Sequence, residues 1–147
     1  MAYSKIAVAI DFSPTADVVI QRALDMAHNN AALLCLTHIV DHLPPMGFGE
    51  EPLIAPDWMI PENTLLQEAE KSLNNFALTH AVIAAEQVVA VGTPHHEIAR
   101  IAAEKNCDLI VVGSHGRHGV RLLLGSTANG VLHHALCDVL AVRIPNE

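Results

Sequence analysis

The stretch VVGSHGRHGVRLLLGSTANGVLHHALCDVLAVR, residues 111–143, decides the fold. It leaves one aliphatic run at Gly113, passes through Gly116, Gly119 and Gly125, and returns to a second run, DVLAVR, at 138–143. Between them Gly125 and Ser126 open a helical pattern that sets Ala128, Val131, Leu132 and Ala135 on one side. Strand, bend, helix and strand again is a parallel β-α-β unit whose first connection is rich in backbone donors.

The same alternation runs through the rest of the chain. Short apolar, β-branched runs recur at KIAVAID (5–11), ALLCLTHI (32–39), QVVAVG (87–92), DLIVVG (108–113) and DVLAVR (138–143). Several are apolar on both faces, which suits parallel strands buried between layers of helices. Helical patterns separate them. The first is expected to start with Ser13 as N-cap and Pro14 at the first helical position, with Ala16, Ile20, Ala23, Leu24 and Ala27 inward. The second starts near Pro61 and repeats Leu65, Leu66, Ala69, Leu73, Phe76 and Ala77; a third follows Thr93 and Pro94 with Ile98, Ile101 and Ala102 inward. The expectation is a single α/β domain: an open, doubly wound, five-stranded parallel sheet with helices on both faces and right-handed crossovers. One segment breaks the rhythm. Residues 41–63 hold five of the eight prolines and form a long surface loop or flap.

Composition narrows the function. The chain has 147 residues, 51 % hydrophobic and only 3 % aromatic, so its core is built from Ala, Val, Ile and Leu, and about 68–70 % of the unfolded surface can be buried at this size. Sixteen acidic against eight basic residues give a formal charge of −8, with no basic stripe for a phosphate backbone, which argues against nucleic acid. No apolar run approaches the ~20 residues that span a bilayer, and Lys5 and Asp11 come too early for a secretory leader, so a cytoplasmic location without membrane contact is expected. Cys35, Cys107 and Cys137 are odd in number and lie in or beside apolar runs, as reduced packing thiols do.

In an open α/β sheet, ligands bind beyond the carboxyl ends of the strands where strand order reverses. If the first and fourth strands are neighbours, their exits, DFS and GSHG, face one crevice. Gly113, Gly116 and Gly119 can expose N–H groups there, and the helix opened by Gly125, Ser126 and Thr127 offers unpaired N–H groups and the positive end of its dipole. Arg117 and Arg121 are the only fixed positive charges in between. This points to a phosphate cradle, although glycines also simply end strands and Ser126 also reads as a helix cap. The familiar phosphate motifs are missing. The three lysines, Lys5, Lys71 and Lys105, belong to no G-x-x-x-x-G-K-[ST], and no G-x-G-x-x-G follows the first strand.

IAVAIDFSPTA, LTHIVD, GTPHHEIARIAAEKNCDLIVVGSHGRHG and LLLGSTANGVLHHALCDVLAVR together resemble the universal stress protein family of the UspA type, across everything outside 41–63. The resemblance implies strand order 3-2-1-4-5, a dimer through the fifth strand and, in one branch of the family, ATP bound at G-x2-G-x9-G-[ST]. Gly113 and Gly116 match the first glycine pair, Gly125 and Ser126 the end, but the intervening RHGVRLLL has eight residues where the motif has nine. Carried over by position, Asp11 would meet the ribose or adenine, while Ile39 and Val112 would line the base. Gly113, His115, Gly116, Gly125, Ser126 and Thr127 would contact phosphates, and Arg117 would supply charge. ATP or AMP is the implied ligand, with Mg2+ accompanying ATP. Asp11 equally reads as a cap of the first helix.

Ten histidines include the adjacent pairs His95-His96 and His133-His134. Helical neighbours point ~100° apart, so neither pair chelates an ion from a single face, and no dedicated metal site is expected. Ser114 and His115 lack an orienting partner and the G-x-S-x-G elbow, so no committed enzyme is expected; slow ATP hydrolysis or autophosphorylation near Ser126 or Thr127 stays open. The fifth strand, apolar at Val139, Leu140, Ala141 and Val142, suits an edge that pairs with its own copy. The function expected is a dimeric, nucleotide-responsive regulator in stress response; the alternatives are a nucleotide-free scaffold acting through protein partners, or a weak ATPase.

Overall fold

A computed structural model describes residues 2–41, 61–84, 86–114 and 124–145. Five strands and four helices alternate: β1 (Lys5–Ala9), α1 (Ala16–Asn30), β2 (Leu33–Asp41), α2 (Glu62–Thr79), β3 (Glu86–Gly92), α3 (Pro94–Glu104), β4 (Leu109–Gly113), α4 (Ser126–His134) and β5 (Asp138–Val142). The sheet is parallel throughout, in the order β3-β2-β1-β4-β5. The order reverses at β1, whose Ile6 pairs with Leu34 of β2 on one side and Leu109 of β4 on the other.

The period of two along each strand sorts side chains between two helix layers. Ile6, Val8, Leu34, Leu36, Leu109 and Val111 face Val19, Ile20, Ala23, Leu73 and Ala77 of α1 and α2. Ala7, Cys35 and Ile110, interleaved with them, face Ile98, Ile101, Ala102 and Val131 of α3 and α4. Both sides of the central strands are thereby dry, as their unbroken apolar sequence requires. The three cysteines are unpaired thiols, with Cys35 and Cys107 buried.

Three local expectations need correction. α1 begins at Ala16 with Thr15 as N-cap, two residues later than the Ser13-Pro14 signal suggests. Asp11 explains the delay: its Oδ1 accepts from the N–H and hydroxyl of Ser13 at 3.0 and 2.7 Å, closing a tight turn that ends before the helix starts. In α4, Leu132 is 49 % exposed. The nine-residue helix buries only Ala128 and Val131, which leaves Leu132 about half uncovered. At the edge strand, Val142 is already buried within the chain, whereas Val139, Leu140 and Ala141 are half-buried. Among the described residues, no helix is long and apolar enough to cross a membrane.

Candidate functional site

Because β1 and β4 are hydrogen-bonded neighbours, their exits meet at the upper rim of the sheet. The chain leaves β4 at Gly113 and is fixed one residue later. Ser114 donates its N–H to Val142 O at 2.8 Å, its hydroxyl accepts from the N–H of Ile144 at 3.3 Å, and its carbonyl accepts from Gly125 N–H at 2.6 Å. β4, the end of β5 and the start of α4 are therefore held at a single buried residue. Serving as that hub, Ser114 is poorly suited to be a nucleophile, since its hydroxyl sits against the backbone beyond β5.

Gly125 is the N-cap residue of α4, in an extended conformation (φ −60°, ψ 155°). The first α-helical bond runs from Asn129 N–H to Gly125 O at 2.9 Å. The N–H groups of Ser126, Thr127 and Ala128 consequently have no intrahelical acceptor. No acidic side chain occupies the first turn, so the positive end of the dipole keeps its preference for an anion, worth about 0.3–1 kcal/mol per charge. Ser126 is exposed and Thr127 half-buried. Gly125 itself has its N–H engaged by Ser114, which makes it the residue that sets the approach of the helix.

Across the rim, the β1 exit carries exposed Asp11 with its Ser13 contacts, and the Ser13 hydroxyl lies 2.6 Å from that of Thr15. Phe12 takes positive φ (58°) and lays its ring 4.2 Å from that of His38 of β2, whose Nδ1 lies 2.6 Å from Ile10 O. Beside it lies a hollow of about 430 Å3 between α1 and α2, lined by Phe12, Ser13, Asp17, Asn75, Phe76 and His80 among others. At its border His80 bridges the two helices, Nδ1 donating to Phe76 O at 2.9 Å and Nε2 meeting Asp17 Oδ1 at 2.7 Å. The Phe76 carbonyl and then Asp17 raise the pKa of His80 above the ordinary histidine range. Ile39 and Val112 are buried, at 9 % and 4 % exposure.

Of the residues singled out from the sequence, Gly113, Gly125, Ser126 and Thr127 are gathered around the Ser114 hub, and Asp11 stands on the neighbouring exit. His115, Gly116 and Arg117, with Gly119 and Arg121, lie outside the described residues, as do residues 42–60 of the proline-rich loop. Sequence reasoning passed over the stacking role of Phe12 and the anchoring role of Ser114. An aromatic residue between Asp11 and Ser13 in a chain with so few aromatics was the available signal for the first; the second needs the position of β5 and had none.

The family model described as "Universal stress protein family" matches residues 2–143. Universal stress protein A homolog 2 of Coxiella burnetii is 43 % identical over 143 residues, covering 97 % of this chain and 96 % of that protein. Among solved structures, universal stress protein MJ0577 of Methanocaldococcus jannaschii superposes with a TM-score of 0.76 at 26 % identity over the full length of both chains. A universal stress protein crystallised in complex with cAMP gives 0.62 at 24 % identity, covering 97 % of this chain and 98 % of that one.

Proposed function

Because this chain belongs to the universal stress protein family, we propose that it binds an adenine nucleotide, ATP or AMP, between β1 and β4 and acts as a dimeric regulator of the stress response without committed chemistry. The observation that carries the reading is the 2.6 Å bond from Gly125 N–H to Ser114 O. It holds the β4 exit beside the α4 N-terminus, and in this reading the amides and hydroxyls of Ser126 and Thr127 share an anion with Gly113. His115, Gly116 and Arg117 follow directly from Ser114 and complete the cradle in this reading; Asp11, Ile39 and Val112 supply the ribose and base side. A cAMP complex in a protein of the same fold supports an adenine nucleotide as the ligand class. Mg2+ would accompany ATP through the phosphates.

β5 is an edge strand with Val139, Leu140 and Ala141 incompletely covered, and nearby Leu136 is 89 % exposed. Pairing of this edge with a second copy about a two-fold axis would close the sheet and cover that surface.

The test is to denature freshly purified protein and resolve the supernatant by ion-exchange chromatography. Adenine nucleotide approaching one equivalent per chain is expected. Protein released free of nucleotide that also fails to take up added ATP or AMP favours the scaffold reading and contradicts this one.

A further inference from the structure

We infer that His95, His96 and His134 form a binding site for a borderline divalent cation such as Zn2+, on the face of the sheet covered by α3 and α4. His95 and His96 occupy the first turn of α3, and His134 is the last residue of α4. Although helical neighbours ordinarily point about 100° apart, the His95 and His96 rings turn toward each other here, and the crossing of α3 and α4 brings His134 to them. One donor nitrogen from each of the three residues lies within 4.8 Å of the other two. The ring centroids are 4.3 Å apart for His95–His96, 5.0 Å for His95–His134 and 4.7 Å for His96–His134.

A tetrahedral zinc ion with Zn–N bonds of about 2.0–2.1 Å needs donor separations of about 3.3 Å. The remaining contraction falls chiefly to the exposed His96 ring, since His95 is half-buried and His134 is anchored through Nδ1. Two further features prepare the cluster. His134 Nδ1 lies 2.8 Å from Gly130 O and donates to it, which leaves Nε2 with its lone pair for the ion and orients the ring from behind. Gly130 also makes room for His95, because a Cβ there would lie 2.4 Å from His95 Cγ and 2.6 Å from its Cβ. A single glycine thus admits one ligand and fixes the tautomer of another.

Three imidazoles without carboxylate or thiolate select zinc, nickel or copper over magnesium or calcium. Glu97, on the same turn of α3, is engaged by Arg100 at 2.9 Å. With His96 and His134 exposed, an ion held by the three imidazoles would keep a fourth coordination position for water or a small anion.

The experiment is a calorimetric titration of the full chain with Zn2+ alone, using protein purified without a histidine tag and stripped by chelator. One equivalent should bind saturably, and His96→Ala and His134→Ala should each weaken it by about tenfold or more. His28→Ala, on α1 across the sheet, should leave affinity unchanged, which separates this site from the other histidines. Absence of saturable zinc uptake, or wild-type affinity in the His95→Ala/His96→Ala/His134→Ala triple variant, overturns the inference. Neither result depends on whether a nucleotide binds between β1 and β4.

Discussion

Gly125 donates its backbone N–H to the carbonyl of Ser114 across 2.6 Å, joining the residue that precedes α4 to the one that leaves β4. Ten residues lie between them in sequence, so the contact is a long-range one that ties the head of α4 to the exit of β4.

If the α4 N-terminus holds phosphate, Ser126→Ala removes one hydroxyl donor to a charged oxygen, an interaction worth about 1.5–3 kcal/mol. Adenine nucleotide affinity, measured by titration calorimetry, should fall roughly 10- to 100-fold with the circular dichroism spectrum unchanged. An unaltered affinity would remove Ser126 from the site.

At the opposite end of the sheet Asp108 secures the first strand. Its carboxylate accepts from Ser4 N–H at 2.9 Å, Lys5 N–H at 3.1 Å and the Ser4 hydroxyl at 3.0 Å. Desolvation pushes its pKa up, but these donors outweigh it and hold the group below the ordinary aspartate range. A depressed pKa contributes stability above the unfolded value that is lost as pH falls through the folded one. Asp108→Ala should cost about 1–3 kcal/mol in urea unfolding at neutral pH, with the gap to wild type closing under acid conditions.

The contact between Gly130 and His95 is a steric statement. Gly130→Ala gains about 1 kcal/mol of helix propensity but forces a Cβ into the His95 ring, an overpacking cost of typically 1–3 kcal/mol. Net destabilisation is expected, and the double variant Gly130→Ala/His95→Ala should be more stable than Gly130→Ala alone. Additive effects in that cycle would mean the two residues do not touch.

His80 carries the opposite pH sign from Asp108. With its pKa raised first by the Phe76 carbonyl and then by Asp17, its bridge between α1 and α2 is fully present below the unfolded histidine value and lost as pH rises through the folded one. Urea midpoints of wild type and His80→Gln should converge as the pH passes above that folded value. A constant difference across the range would assign His80 a packing role alone.

Self-association through β5 makes the protein a pair by sedimentation at micromolar concentration, while a clean monomer there would contradict the edge-strand reading.

The layers were legible because each rests on a local rule. Alternation of Ile6, Ala7 and Val8 between two faces, Thr93 and Pro94 at the head of α3, and Gly125 before Ser126 all act within a few residues, and each element appears where those signals put it. What escaped depends on distant partners. Asp11 competes for Ser13 and delays α1, and the sequence cannot show which of two capping options the turn will adopt. Leu132 satisfies the helical period but is left about half exposed, because so short a helix buries only Ala128 and Val131. The imidazoles of His95, His96 and His134 meet through a crossing of α3 and α4, a contact that the pattern of neither helix alone carries. At the crevice, Gly113, Gly125, Ser126 and Thr127 could be named from the sequence, whereas the hub at Ser114 required β5 and Ile144 to be in place.

Backbone amides at the head of α4 are the central element of the account, and amide chemical shifts report on them directly. Titrating isotopically labelled, nucleotide-free protein with ATP should move the resonances of Gly113, Ser126, Thr127 and Ala128 saturably and more than those of α2 or β3. Shifts confined to other elements, or none at ligand concentrations well above the protein's, would contradict it.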